Sequence, residues 1–125
     1  MRVIAFKALR DFWTDPKCPA GSEGYLRAWY TATVGATWHH FAELRNTFGS
    51  ADVVGDCVVF DVGNNRIRLI GRVRYADATR GGIVYVLAVL THAEYDENKW
   101  PDDCGCHRKP KRKVVRPTKR VRRKK

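Results

Sequence analysis

With 125 residues, 11% of them aromatic, the chain has room for one domain with a core of its own, which excludes a wholly disordered protein. Its formal charge of +11 is not evenly spread: residues 1–106 hold 12 Lys or Arg against 13 Asp or Glu, whereas residues 107–125 hold the other 12 Lys or Arg and no acid. A uniformly basic protein is therefore excluded, and the reading is a nearly neutral domain followed by a polycationic tail.

Taken in chain order, Arg2 to Ala5 can open with a short strand. Phe6 to Trp13 has helical spacing, and Asp15–Pro16 ends it because the residue before proline is pushed out of the α region. Ser22 is the expected N-cap of a second helix running to Thr33 or Val34, with Tyr25, Leu26, Trp29 and Tyr30 as its apolar stripe. Trp38 to Phe48 reads as a third helix, with Gly49 suited to its C-cap. The adjacent His39 and His40 diverge on a helix and read as surface residues.

From Val53 the pattern changes to strands. Cys57 to Val62 is one, and Gly63, Asn64 and Asn65 form a turn that tolerates positive φ. The strand that follows, Arg66 to Arg74, alternates: Arg66, Arg68, Ile70, Arg72 and Arg74 share one face, with successive positions on it about 7 Å apart. Such a face suits a polyanion; the alternative is a solvated sheet face paired with Asp and Glu. After a glycine turn, Ile83 to Leu90 is apolar on both faces, as a covered central strand should be. This run of eight is the longest apolar one, too short to cross a bilayer. Helices first and strands after point to an α+β domain, with three to four antiparallel strands and the N-terminal helices on one face.

No export signal is visible, so the expected compartment is the cytoplasm, where disulfides are disfavoured. Cys104, Cys106 and His107 lack a second pair at zinc-site spacing, and the expectation is free thiols in a flexible hinge, no metal and no cofactor. The division expected is a domain over 1–100 and a flexible polybasic tail over 101–125.

Chemistry concentrates in the run from Thr91 to Asp96. Thr91 and Glu94 have the spacing of a capping box. A helix starting there puts His92 in its first turn, where unpaired N–H groups disfavour imidazolium and favour anions. Tyr95 lies three residues on, on the same helical face. Glu94 reads as a capping residue, and Asp96 as a partner for an arginine of the sheet or a dipole partner, with a carboxylate base as the lesser alternative.

Three runs together carry a resemblance: Val58-Val-Phe-Asp-Val-Gly-Asn-Asn-Arg-Ile-Arg-Leu-Ile70, Gly81-Gly-Ile-Val-Tyr-Val86 and Thr91-His-Ala-Glu-Tyr-Asp96. With the opening Met1 to Ala5, Leu26 to Tyr30 and Phe48 to Asp52, they resemble the HigB-type toxins of bacterial toxin–antitoxin pairs over residues 1 to about 97. The resemblance implies a RelE-like fold with helices on a small curved antiparallel sheet. It implies a metal-independent endoribonuclease that cuts mRNA, often on the ribosome. It also implies neutralisation by a HigA-type helix-turn-helix antitoxin, in a complex expected to bind operator DNA. On the matching positions, Asn65 and Arg68 are the sheet's contribution to the RNA site, and His92 and Tyr95 that of the last helix. Similar toxins often carry a basic residue where this chain has Leu87, a missing contact that Arg72 or Arg74 could replace.

Metal-free RNA cleavage needs a base for the 2′-hydroxyl, positive charge for the transition state and an acid for the leaving 5′-oxygen. Arg68 fits the charge role, with Arg66 and Arg72 in support; one aimed donor is worth roughly 3 to 4 kcal/mol. His92 fits base or acid, while Tyr95 orients the phosphate, stacks on a base or shares the proton transfer. In the tail, Lys111, Arg112, Lys113, Arg120, Arg122 and Arg123 are expected to hold a polyanion without sequence preference, ribosomal RNA first, with nonspecific DNA or an acidic antitoxin segment as alternatives. The rival reading is a non-catalytic RNA- or ribosome-binding protein that uses the arginine strand and tail as anchors.

Overall fold

The computed structural model describes residues 1–106. The elements run β1 (Arg2–Ile4), α1 (Phe6–Thr14), α2 (Ser22–Val34), α3 (Phe41–Thr47), β2 (Asp52–Val54), β3 (Cys57–Val62), β4 (Ile67–Arg74), β5 (Ile83–Thr91), α4 (His92–Asp96) and α5 (Trp100–Asp103). The sheet order is β1-β5-β4-β3-β2. From β2 to β5 it is the expected antiparallel meander. β2, paired antiparallel with β3, brings the expected three to four strands to five, and β1, joined parallel to β5, makes the sheet mixed. Among the described residues, no helix is long and apolar enough to cross a membrane.

The strand alternation builds two cores. Val58, Phe60 and Val62 of β3 and Ile67 and Leu69 of β4 face the helices, where they meet Leu9 of α1, Leu26 and Trp29 of α2 and Leu44 of α3. Phe60 is edge-on to Trp29 at 5.3 Å and to Phe48 at 5.4 Å, the offset geometry that aromatic quadrupoles favour. The tight β3–β4 reversal needs left-handed backbone, and Gly63, Asn64 and Asn65 supply it with φ of 67°, 55° and 72°.

On β5 the register slips: Ile70 pairs with Ala88 but Gly71 with Val86, so Leu87 is the extra residue of a bulge. The bulge lets β5 serve both cores. Val84, Val86 and Val89 join the helix side, and Ala88 and Leu90 join the other.

That second side departs most from expectation. Cys57, Val59 and Ile70 are buried there under Trp100 and Cys106. The chain from α4 onward folds back across the sheet, and Cys57 and Cys106, 49 residues apart, are joined by a disulfide. Of the two thiols expected free, Cys104 is free and Cys106 is not, and the stretch is no loose hinge: Cys106 is buried on the domain, and the Asp56 amide donates to its carbonyl at 2.8 Å. The reason is apolar surface. Val59 and Ile70 point away from the helices and need a cover, which Trp100 provides.

Two helix starts also differ. Gly21, with φ of 84°, is the N-cap of α2, and the Ser22 hydroxyl donates instead to the Pro19 carbonyl. α3 begins at Phe41 rather than Trp38, whose buried indole N–H donates to Thr47 Oγ1 at 3.0 Å. Phe48 is the C-cap of α3, and Gly49 does not take the left-handed conformation.

Candidate functional site

Arg68 is the anchor of the site. It lies opposite Asp61 across the β3–β4 pair, a register set by the 63–65 turn. Its Nη1 donates to Asp61 Oδ1 at 3.0 Å and its Nη2 to Asn65 Oδ1 at 3.0 Å. Its guanidinium carbon sits 5.1 Å from the centre of the Tyr95 ring, within cation–π range. Only 14% of the Arg68 side chain is exposed. The planar fork is thus held by a carboxylate, an amide and an aromatic ring, which is the preorganisation a charge-stabilising group requires. Asp61, which also accepts from the Asn65 amide at 3.0 Å, is a functional candidate that sequence reasoning missed. Its signal was the turn length, which fixes what lies across from Arg68.

The capping box of α4 is complete. Thr91 Oγ1 accepts from the Glu94 amide at 3.1 Å, and Glu94 Oε1 accepts from the Thr91 amide at 2.9 Å. Glu94 is therefore occupied as a cap. His92 is the first helical residue, half-exposed, with Nδ1 2.9 Å from Asp96 Oδ2 one turn on. That carboxylate sits beside Nδ1, on the i, i+4 spacing of one helical turn. Asp96 thus partners His92 rather than an arginine of the sheet. Tyr95 stacks on Trp100, with centroids 5.2 Å apart and ring planes 16° off parallel. Its contact with Arg68 puts its ring on the same side of the sheet as that guanidinium.

The row of four arginines is not one open surface. Arg66 precedes β4 and turns away: its Nη1 donates to the Tyr25 hydroxyl at 2.8 Å, toward α2 on the helix side. The cause is the turn itself, whose left-handed Asn65 delays the strand until Ile67. Arg72 reaches the Cys104 and Gly105 carbonyls at 3.5 and 3.4 Å, and Arg74 the Gly81 carbonyl at 2.9 Å. Between Arg68 and Arg72, Ile70 is fully buried. The structure therefore brings Asn65, Arg68 and Tyr95 together, with His92 on the same short helix as Tyr95, and holds Arg66, Arg72 and Arg74 at separate places. Leu87 is 37% exposed at the β5 bulge. The tail positions Lys111, Arg112, Lys113, Arg120, Arg122 and Arg123 lie outside the described residues.

Three N-terminal helices on one face of a mixed sheet, with the polar site at the end of the last long strand, define an α+β protein of the RelE-like kind. Residues 22–98 match the family model HigB_toxin, the RelE-like toxic component of a toxin–antitoxin system. The chain belongs to that family, and membership of a two-component system implies an antitoxin partner. A search of curated proteins returned no match.

Proposed function

We propose that this toxin is an endoribonuclease that cuts mRNA, on the translating ribosome, by metal-independent attack of the 2′-hydroxyl. The observation that carries the reading is the Arg68 guanidinium, fixed by Asp61 and Asn65 and lying over Tyr95. Arg68 stabilises charge on the phosphorane-like transition state. His92, oriented by Asp96, moves a proton through Nε2 as base or acid. Tyr95 orients the phosphate, stacks on a base or shares the proton transfer. Asn65 keeps the guanidinium aimed, and Arg72 and Arg74 supply longer-range positive charge. The protein acts in the cytoplasm, where a HigA-type helix-turn-helix antitoxin neutralises it and the pair binds operator DNA.

The test is growth arrest and mRNA cleavage with Arg68→Ala and His92→Ala. Loss of both activities in each variant, with the fold intact by circular dichroism, is the expected result. Full toxicity in both removes the site assignment.

A further inference from the structure

The site's aromatic member is held by a segment whose own attachment is covalent. Tyr95 packs against Trp100, which is 6% exposed and whose indole N–H has no hydrogen-bond partner among the described residues. Trp100 is thus kept in place by packing alone, on a helix of four residues. That helix is fastened to the sheet by burial of Trp100 over Val59 and Ile70 and by the disulfide from Cys106 to Cys57, beside the Asp56–Cys106 backbone bond and the weak reach of Arg72 to the Cys104 and Gly105 carbonyls. Helices this short do not persist without tertiary support. A third cysteine, Cys104, packs against the same cluster with its thiol free. Burial and the neighbouring Asp103 carboxylate push that thiol's pKa up, partly opposed by Arg72. A raised pKa makes it a weaker nucleophile toward the disulfide of that cluster.

We infer that the Cys57–Cys106 disulfide is a redox latch: closed, it sets Trp100 against Tyr95 at the Arg68 site; opened by a small thiol or dithiol, it releases both. Disulfides in cytoplasmic chains are typically transient and redox-sensing, which fits one that fastens a functional element. In the opening step a reductant thiolate attacks one cysteine sulfur and forms a mixed disulfide. The other cysteine leaves as a thiolate and takes a proton from water. The second thiol of a dithiol then resolves the mixed disulfide, so the protein gains two electrons and two protons and the dithiol becomes a disulfide. Both sulfurs are fully buried, so attack follows local lifting of the α5 segment rather than preceding it.

The proposed nuclease activity enters only the last arm of the test. The full chain is treated with dithiothreitol until thiols titrated in denaturant rise from two to four, as the one disulfide and two free cysteines require. The Tyr95 ring resonances, assigned with Tyr95→Phe, are expected to lose the ring-current shift of the stacked indole. The Cys104 and Cys106 amides, bonded to the Trp100 and Pro101 carbonyls, are expected to exchange about tenfold faster while α2 is unchanged. Cys57→Ser is expected to reproduce both effects without reductant, and Cys104→Ser to leave the response intact. Tyr95 resonances and α5 amides unmoved in the fully reduced chain overturn the latch, as does a response abolished by Cys104→Ser. On cleavage, reduction is expected to cost about tenfold, recovered on reoxidation. Cleavage unchanged while Tyr95 moves overturns its link to the site. A spectroscopic response with no cleavage in either redox state leaves the latch standing and removes the nuclease reading instead.

Discussion

Arg68 owes its position to Asp61, and that pair makes the first prediction. Asp61→Asn weakens the ion pair to a part-buried guanidinium while keeping the side chain's shape. Removing one partner of a charged hydrogen bond costs about 1 to 3 kcal/mol of stability, read as a lower denaturation midpoint. Cleavage is expected to fall about tenfold, because the guanidinium loses one of the contacts that aim it. Asp96→Asn makes a separate prediction. The amide no longer holds the His92 ring by charge, so cleavage falls, with little change in stability because the pair is more than half exposed. Full activity in the variant contradicts the oriented-imidazole account.

α4 has five residues and carries both His92 and Tyr95, so its capping box matters out of proportion to its length. Thr91→Ala is expected to cost about 1 kcal/mol in chemical denaturation and to lower cleavage as the first turn frays. In the β4–β5 loop, the Asp77 carboxylate accepts from the amide and hydroxyl of Thr79 and from the Arg80 amide. These bonds hold its pKa below the ordinary 3.8, the Thr79 amide contributing most. A lowered folded-state value means the loop's contribution is present above 3.8 and lost as pH falls below it. Protection of the Thr79 and Arg80 amides, taken relative to the intrinsic exchange rate at each pH, is therefore expected to fall as pH falls through that range, and in Asp77→Asn to be low at any pH.

For the whole molecule, a neutral domain and a tail of 12 positive charges should separate by truncation. Ending the chain at Cys106 is expected to keep the disulfide and the domain while flattening the salt dependence of ribosome binding, since the slope counts phosphates neutralised. An unchanged slope contradicts the RNA-anchor role of the tail. What could be read from the sequence was what is local. The Gly63–Asn65 turn, the alternation of β4 and the capping box each declare themselves within a few residues, and each is present. What could not be read depends on distant partners. Three residues of β1 carry no sign of pairing parallel to β5, and four cysteines do not announce that Cys57 meets Cys106. The arginine row read as an open face because alternation reports which side a residue takes, not what covers it. Val59 and Ile70 needed a lid, and the sequence downstream of Asn98 held one.

The most direct test is chemical. Purified chain is incubated with translating ribosomes and labelled message, and the new 3′ ends are characterised. Cut message ending in a 2′,3′-cyclic phosphate, absent with Arg68→Ala, is the predicted result. Intact message from a folded chain contradicts the account.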